Sequence, residues 1–274
     1  MRALRVVLFI VAAAPLAGCA PALREPPAVA VLGSSAARMP AVTLPAAEVD
    51  RVVGEAEASF ARRPDLAAVT GSLELFLAAA RADDARIEGL LGAARASAWL
   101  IEHEPDARRR AAFATEAVQA CQWCVRRAPA NISCKYRLAL ALGQQARERR
   151  STGTDALPRI VSLLEEVIAE DPRLDAAGGH RVLGLLLVRA PGWPTGPGDP
   201  EAGLEHARQA DALVPDNADN VLVLGEALAA TGATGQARLV YERAEQLARV
   251  RAARGDPDAG EQAEAAARAL RALR

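Results

Sequence analysis

The sequence predicts an all-α fold made of repeated helix pairs, and two observations support this prediction. Apolar residues make up 51% of the chain, whereas aromatic residues reach only 3%. The core must therefore consist of Ala, Leu and Val, and Ala has the highest helix propensity of all residues. Similar four-residue segments recur at Pro129, Pro172 and Pro215, spaced 43 residues apart and each followed by a helical pattern. A period of this length is typical of helix pairs stacked in a solenoid.

The charge composition excludes one broad class of partner. The 274 residues include 33 basic and 34 acidic side chains, which gives a net charge of -1. A chain with so balanced a charge has no general attraction for phosphate backbones, so we expect no nucleic-acid binding. Its four cysteines are too few for a disulfide scaffold, and the fold must depend on its hydrophobic core.

The N-terminus has the features of a signal peptide over residues 1–18. Two arginines precede an apolar stretch of eleven residues that ends at Leu16, which is shorter than the roughly 17 residues that a membrane-spanning helix needs. The segment Leu16-Ala17-Gly18-Cys19 resembles the bacterial lipobox, which implies that Cys19 is lipidated. Ala20, not Asp, follows this cysteine, so the resemblance implies anchoring in the outer membrane, facing the periplasm. The alternative is an ordinary secretory signal with an incidental cysteine.

Residues 19–47 separate this anchor from the helical part of the chain. They contain five prolines among many alanines and show no apolar periodicity. We therefore predict a semi-extended tether that holds a helical domain, residues 48–250, away from the membrane.

Helical patterns follow one another from residue 47 to the end of the chain. A degenerate helix pair is predicted over 47–63 and 65–81, and a second pair precedes Pro129. The units between the three prolines exceed a 34-residue repeat by nine residues each. We assign this surplus to the loop around 149–154 in the first of them.

In the second unit, the surplus is assigned partly to 176–179 and mostly to the Pro- and Gly-rich stretch 191–198. Within the C-terminal segment, residues 251–274, a polar, Ala-rich helix is predicted from Asp258 to Arg274. Stacked repeats need a capping element of this kind at their ends.

The last unit shows the spacing of the repeat best. Small residues alternate with large ones at fixed intervals, which lets two antiparallel helices approach closely; the positions are Gly225, Leu228, Gly232, Ala237, Tyr241 and Ala244. This pattern resembles the tetratricopeptide repeat (TPR). The resemblance implies a right-handed α-solenoid of four to five helix pairs with inserted loops and a C-terminal capping helix, whose concave face is the expected binding surface.

The cysteines admit several interpretations. Cys121 and Cys124 are three residues apart within one predicted helix, where their Cβ atoms are about 5–6 Å apart, too far for a disulfide. Cys124 and Cys134 flank the turn at Pro129, so a disulfide between them is the preferred interpretation in an oxidising periplasm. A Cys121–Cys134 pair, free buried thiols and a zinc site are the alternatives.

Residues 171–216 contain the most distinctive motifs of the chain. Gly179-His180-Arg181 opens a helix, and Ala190-Pro191-Gly192-Trp193-Pro194 follows it. Together with the segment around Tyr136 and Arg137, they resemble the T component (TatT) family of TRAP transporters, periplasmic TPR lipoproteins. Arg137 stands where that family has another aromatic residue. Trp193 either covers the ends of neighbouring helices or contacts a partner.

The resemblance implies a scaffold that is not an enzyme. It would bind a periplasmic solute-binding protein and a small organic or hydrophobic ligand, with Tyr136, Arg137, His180, Arg181 and Trp193 as candidate contacts. The alternative is an envelope-assembly or structural lipoprotein that binds another envelope protein. Association of several copies of the chain is compatible with either.

No motif for catalysis, a metal or a cofactor is present in the sequence. The three histidines, His103, His180 and His206, have no metal-ligand spacing, and we expect them to be solvated or capping residues.

Overall fold

The structure is a computed structural model that describes Pro45 and residues 48–273. The predicted signal peptide, the lipidation site Cys19 and nearly all of the predicted tether lie outside the described residues. The described residues form eleven α-helices and no β-strand, which confirms the all-α prediction. In chain order, they are α1 (Val49–Phe60), α2 (Leu66–Ala82), α3 (Glu88–His103), α4 (Ala107–Arg127), α5 (Ile132–Glu148), α6 (Gly153–Glu170), α7 (Leu174–Arg189), α8 (Pro200–Leu213), α9 (Ala218–Ala230), α10 (Thr234–Ala253) and α11 (Ala259–Ala272).

The repeated proline segments start helices by side-chain capping. Asn131 and Asn217 each lie two residues after a repeat proline, and their side chains accept hydrogen bonds from backbone N–H groups three residues later, at 3.1 and 3.0 Å. An asparagine cap of this kind typically contributes about 1 kcal/mol to stability. The corresponding residue in the middle repeat is Leu174, which has no polar side chain. The helix that begins there has an unusual first turn.

A disulfide joins Cys124 at the end of α4 to Cys134 in the first turn of α5, with 5.3 Å between the Cα atoms. This is the pairing preferred from the sequence. Cys121 is free and fully buried. Burial raises the pKa of its thiol to about 12, so the group stays protonated and does not compete for the disulfide.

Each helix packs against the next one in the chain, and each odd-numbered helix also contacts the next odd-numbered helix. Small residues allow close approach, as the sequence pattern predicts. A Cβ atom on Gly225 of α9 would lie 2.5 Å from the Tyr241 ring of α10, so a larger residue at 225 would displace that ring. Contact between α9 and α10 therefore depends on this glycine.

The buried residues divide into two main cores. The larger core runs from α1 to α6 and includes Leu183 of α7, whereas the smaller one is formed by α8, α9 and α10. Helix α7 contributes side chains to both: Leu186 and Leu187 pack on the first core, and Leu185 and Val188 on the second. It therefore connects the two halves of the domain.

The two ends of the helical domain also touch. Arg63, in the turn after α1, donates to Asp258 before α11 at 3.3 and 3.5 Å. His103, at the end of α3, lies 2.6 Å from a carboxylate oxygen of Glu261 in the first turn of α11 and stacks on Trp99. We call these two contacts the end contacts. They join segments that are 195 and 158 residues apart in the chain.

Two sequence predictions about element boundaries were wrong. The surplus residues of the first long unit do not form a loop around 149–154, because α5 runs to Glu148, a short 3₁₀ helix covers Arg150–Thr152, and α6 begins at Gly153. The added residues therefore lengthen the helices. The predicted boundary between 250 and 251 falls inside α10, whereas the helix predicted from Asp258 is present as α11, which begins at Ala259. No helix in the described part of the chain is long and apolar enough to cross a membrane.

Candidate functional site

The first turn of α7 is left-handed. Asp175, Ala176 and Ala177 have φ angles of 50°, 53° and 63°. Residues with a Cβ atom lose about 1–2 kcal/mol each in this conformation. Three in a row persist only if the surrounding structure holds them, and such backbone strain tends to occur at functional sites. We call this segment the left-handed turn.

Side chains from three other positions hold the left-handed turn. The Tyr136 hydroxyl of α5 donates to Asp175 Oδ2 at 2.7 Å, and Arg181 Nη2 donates to the same oxygen at 3.1 Å. Arg181 Nη1 donates to the backbone carbonyls of Asp175 and Ala176 at 3.1 and 3.2 Å. The buried Asn220 of α9 donates to the Ala176 carbonyl at 3.0 Å and accepts from Arg181 at 3.0 Å. The turn is thus tied to both α5 and α9.

Tyr136 is a buried component of this network. Its side chain is only 2% exposed, and burial raises the pKa of its hydroxyl well above the ordinary value. A Cβ atom on Gly178 would overlap the Tyr136 hydroxyl, so residue 178 must be glycine for the ring to reach Asp175. Tyr136 therefore positions the turn, because its buried hydroxyl is bound to Asp175.

A cavity of about 360 Å³ lies on the α5 side of the turn, and we call it the α3–α5 cavity. Residues of α1, α3 and α5 line it, together with the start of α7. Its charged lining residues are Glu57, Glu88, Arg95, Arg137 and Asp175, and its other lining residues are Leu91, Gly92, Ser133, Tyr136 and Leu174. Arg137 is 25% exposed here, half-buried beside Asp175.

A second cavity, of about 430 Å³, lies on the α9 side of the turn, and we call it the α7–α11 cavity. Its walls are mainly apolar, with Val182 and Leu185 of α7 facing Ala265 and Ala269 of α11. Most of its charged groups are paired within the chain; for example, Arg189 binds both carboxylate oxygens of Glu226 at 2.5 and 2.7 Å.

Tyr241 also lines this cavity, and burial raises the pKa of its hydroxyl to about 12. It makes no hydrogen bond with any described residue. The α7–α11 cavity can therefore hold an apolar molecule that has one hydrogen-bonding group.

His180 and His206 form a pair between α7 and α8, so the expectation of solvated or capping histidines was wrong for both. Their Nδ1 atoms lie 3.0 Å apart, which requires one ring to donate and the other to accept. Burial lowers the pKa of both rings, and His206 lowers that of His180 further, while Glu205 and Glu165 oppose the shift at His206. The pair stabilises helix packing as neutral rings, and His180 is not an open contact.

Trp193 is 91% exposed at the tip of the loop between α7 and α8. The interpretation of this residue as a plug over neighbouring helix ends was therefore wrong. The loop is closed on itself by hydrogen bonds from the Thr195 and Gly196 N–H groups to the Gly192 carbonyl and from Gly198 N–H to the Pro191 carbonyl. A Cβ atom on Gly196 would come within 2.6 Å of that carbonyl, so the tight closure needs glycine.

Of the five predicted contact residues, the structure brings together only Tyr136, Arg137 and Arg181. His180 faces α8. Trp193 follows the other end of α7, which is about 18 Å along the helix from the left-handed turn. Sequence reasoning missed Asp175, Asn220 and His206. The one sequence feature that points to an unusual start of α7 is Leu174, because the other two repeats have asparagine at this position.

Within the described residues, no group of three or more His, Cys, Asp or Glu side chains is placed to hold a metal ion. A scan against models of known protein families found no match, and a search of curated proteins found none either.

Proposed function

We propose that the chain is a non-enzymatic, lipid-anchored scaffold on the periplasmic side of the outer membrane, resembling the TRAP transporter T component. Its partner would be a periplasmic solute-binding protein. In this proposal, the helices form a TPR-like right-handed solenoid in which the odd-numbered helices line the concave face, and α11 is the capping helix.

The helix contacts support this arrangement. Each odd-numbered helix touches the next odd-numbered one, whereas packing between successive even-numbered helices is slight or lacking in the part of the chain that the structure describes. The two cavities follow the same division, because all their lining residues except Tyr241 come from odd-numbered helices. A surface formed by one set of helices is the usual binding face of stacked repeats.

The exposed Trp193 is the observation that carries the proposal of a protein partner. A tryptophan is among the side chains that gain most from burial, and it is enriched at the energetic centres of protein interfaces. Here the closed loop holds it in solvent, and the tip from Pro191 to Thr195 carries no charge. Because the loop is already ordered, binding through it would cost little conformational entropy.

The α7–α11 cavity supports the second part of the proposal, a small organic or hydrophobic ligand. Its volume of about 430 Å³ is within the usual range for ligand pockets, about 300–1,000 Å³. The apolar walls would bury the ligand, and the Tyr241 hydroxyl would bind one of its polar atoms.

The test is an affinity pull-down from the native envelope with the full-length lipidated chain. Trp193→Ala removes the exposed ring, and Leu239→Ala is the matched control, because Leu239 is a large apolar residue that is 66% exposed on α10. We expect the wild type and Leu239→Ala to recover a solute-binding protein and Trp193→Ala to lose it. Recovery of envelope-assembly subunits instead, or of copies of the chain alone, would reject the transport proposal and favour the structural alternative.

A further inference from the structure

We propose that the α3–α5 cavity binds a small zwitterion of the α-amino acid class, with the ligand carboxylate on Arg137 and its ammonium group beside Asp175. This site is separate from the Trp193 loop and from the α7–α11 cavity. The inference therefore does not rest on the proposed function.

Arg137 has unused hydrogen-bonding capacity. Its guanidinium carries five N–H donors in a planar fork that matches a carboxylate. The nearest carboxylate oxygen, Asp175 Oδ1, is 4.0 Å away, which is beyond hydrogen-bond distance. Arg137 donates no hydrogen bond to any described residue. A half-buried guanidinium in this state favours an external carboxylate.

Asp175 has one satisfied and one unsatisfied oxygen. Oδ2 accepts from Tyr136 and Arg181, which fixes the orientation of the carboxylate, whereas Oδ1 accepts no hydrogen bond from the described residues. An ionised carboxylate oxygen can accept more than one hydrogen bond. Oδ1 therefore offers a preorganised acceptor for an ammonium group, next to the free donors of Arg137.

The remaining charged groups of the cavity are already paired. Arg95 Nη2 contacts both carboxylate oxygens of Glu57 at 2.5 Å, and Glu88 accepts from Arg86 at 3.1 Å. The guanidinium of Arg137 and the Oδ1 atom of Asp175 are thus the charged positions that have no hydrogen-bond partner among the described residues.

The position of Asp175 beside Arg137 favours a zwitterion over a simple anion. Asp175 Oδ1 lies 4.0 Å from Arg137, so a bare anion bound to Arg137 would also lie close to this carboxylate and be repelled by it. A zwitterion has no net charge, and each of its ends meets a group of opposite sign. Its carboxylate and ammonium groups are attached to the same carbon atom, which suits two protein groups held close together.

Uncharged groups complete the site. Ser133 lies four residues before Arg137 and so on the same face of α5, and its hydroxyl makes no hydrogen bond with a described residue. Arg95 Nε is buried and without a hydrogen-bond partner. Leu91 and Leu174 form an apolar wall for the ligand side chain. The volume of about 360 Å³ accommodates an amino acid of ordinary size.

The test is isothermal titration of the full chain with each of the twenty common L-amino acids, followed by the N-acetyl derivative and the corresponding amine of the tightest binder. We expect at least one amino acid to bind and both derivatives to bind at least about tenfold more weakly, because each lacks one charge. The proposal would be overturned if none of the twenty amino acids bound with a dissociation constant below about 10 mM. Equal affinity for the N-acetyl derivative would also overturn it, because it would indicate an anion site.

Substitutions locate the site. Arg137→Gln should weaken binding about tenfold or more, and because Arg137 donates no hydrogen bond within the described structure, the fold should tolerate the change. The matched control is Lys135→Gln on the same helix. Lys135 donates to Glu166 at 2.7 Å, outside the cavity. Binding that is unaffected by Arg137→Gln, or equally reduced by both substitutions, would contradict the assignment. Thermal unfolding of both variants identifies any loss that is due to misfolding.

Discussion

The two halves of the helical domain are stabilised in different ways. The N-terminal region, α1–α6, has a disulfide and four buried aromatic rings, namely Phe60, Phe76, Phe113 and Tyr136. The C-terminal region, α7–α11, has a core of Leu, Val and Ala with one buried phenol, Tyr241, and the histidine pair. Helices with a similar repeat can therefore be held together by quite different interactions, and the two regions should respond differently to the same perturbation.

Removal of the disulfide should have the largest effect and should be confined to the N-terminal region. For Cys124→Ala/Cys134→Ala, we expect a loss of about 3 kcal/mol in the free energy of unfolding, because the cross-link restricts a short loop of the unfolded chain. Urea unfolding measures the loss, and hydrogen exchange should show faster opening of α4 and α5 than of α9 and α10. Cys121→Ala, which leaves the disulfide intact, is the control. Equal acceleration in both regions would show that the two cores unfold as one.

A buried carboxylate should make the N-terminal region less stable as the pH rises. Glu116 is 2% exposed, and neither of its oxygens accepts a hydrogen bond. Burial raises its pKa to about 7 from an ordinary value of 4.5, while Arg81 opposes the shift. The folded chain then binds more protons than the unfolded chain between these two values, so the free energy of unfolding falls as the pH rises through that window.

Glu116→Gln removes this titration. We expect the variant to be more stable than the wild type by about 2 kcal/mol at pH 8 and similar to it near pH 4.5. Chemical denaturation at a series of pH values measures the difference. A difference between the two proteins that stays constant with pH would show that folding does not raise the pKa of Glu116.

The left-handed turn, at the boundary between the regions, should be stabilised by glycine. Ala176→Gly removes the Cβ penalty of a left-handed residue, and we expect a gain of about 1 kcal/mol in the free energy of unfolding. Ala212→Gly, at an exposed right-handed position of α8, is the matched control and should lose about 1 kcal/mol. A loss in both variants would mean that residue 176 is not left-handed in solution.

The histidine pair should give the C-terminal region the opposite pH dependence and the smallest effect. Both pKa values are lowered in the folded chain, so the unfolded chain binds more protons below about pH 6.5, and the free energy of unfolding falls as the pH decreases through that range. For His206→Gln, we expect a smaller loss of stability than for the wild type between pH 7.5 and 5.5. Calorimetry at pH 7.5 and at pH 5.5 measures the change in stability of each protein. Equal losses in the wild type and in His206→Gln would show that the histidine pair does not cause the pH dependence.

The helices and turns that the sequence predicted correctly depend on residues that are close together in the chain. Helix positions followed from apolar spacing, and the turns followed from the prolines, because Asn131 and Asn217 cap helices through residues only three positions away. The left-handed turn could not be predicted in this way, since Tyr136 and Asn220 stabilise it from positions 39 and 44 residues distant. The same is true of the His180–His206 pair, because the two residues are 26 positions apart and lie on different helices. Much of the candidate site was therefore found only in the tertiary structure.

The end contacts have a consequence for the cooperativity of unfolding. In a protein whose helices touch only their neighbours in the chain, each terminal helix can fray without disturbing the opposite terminus. Here Arg63 and His103 bind α11 and the turn before it, so separation of the last helix also removes partners from the turn after α1 and from the end of α3. Fraying of α11 is thereby coupled to fraying of the first helices. The opening of α11 would therefore reveal whether the helices at the other end of the domain are folded.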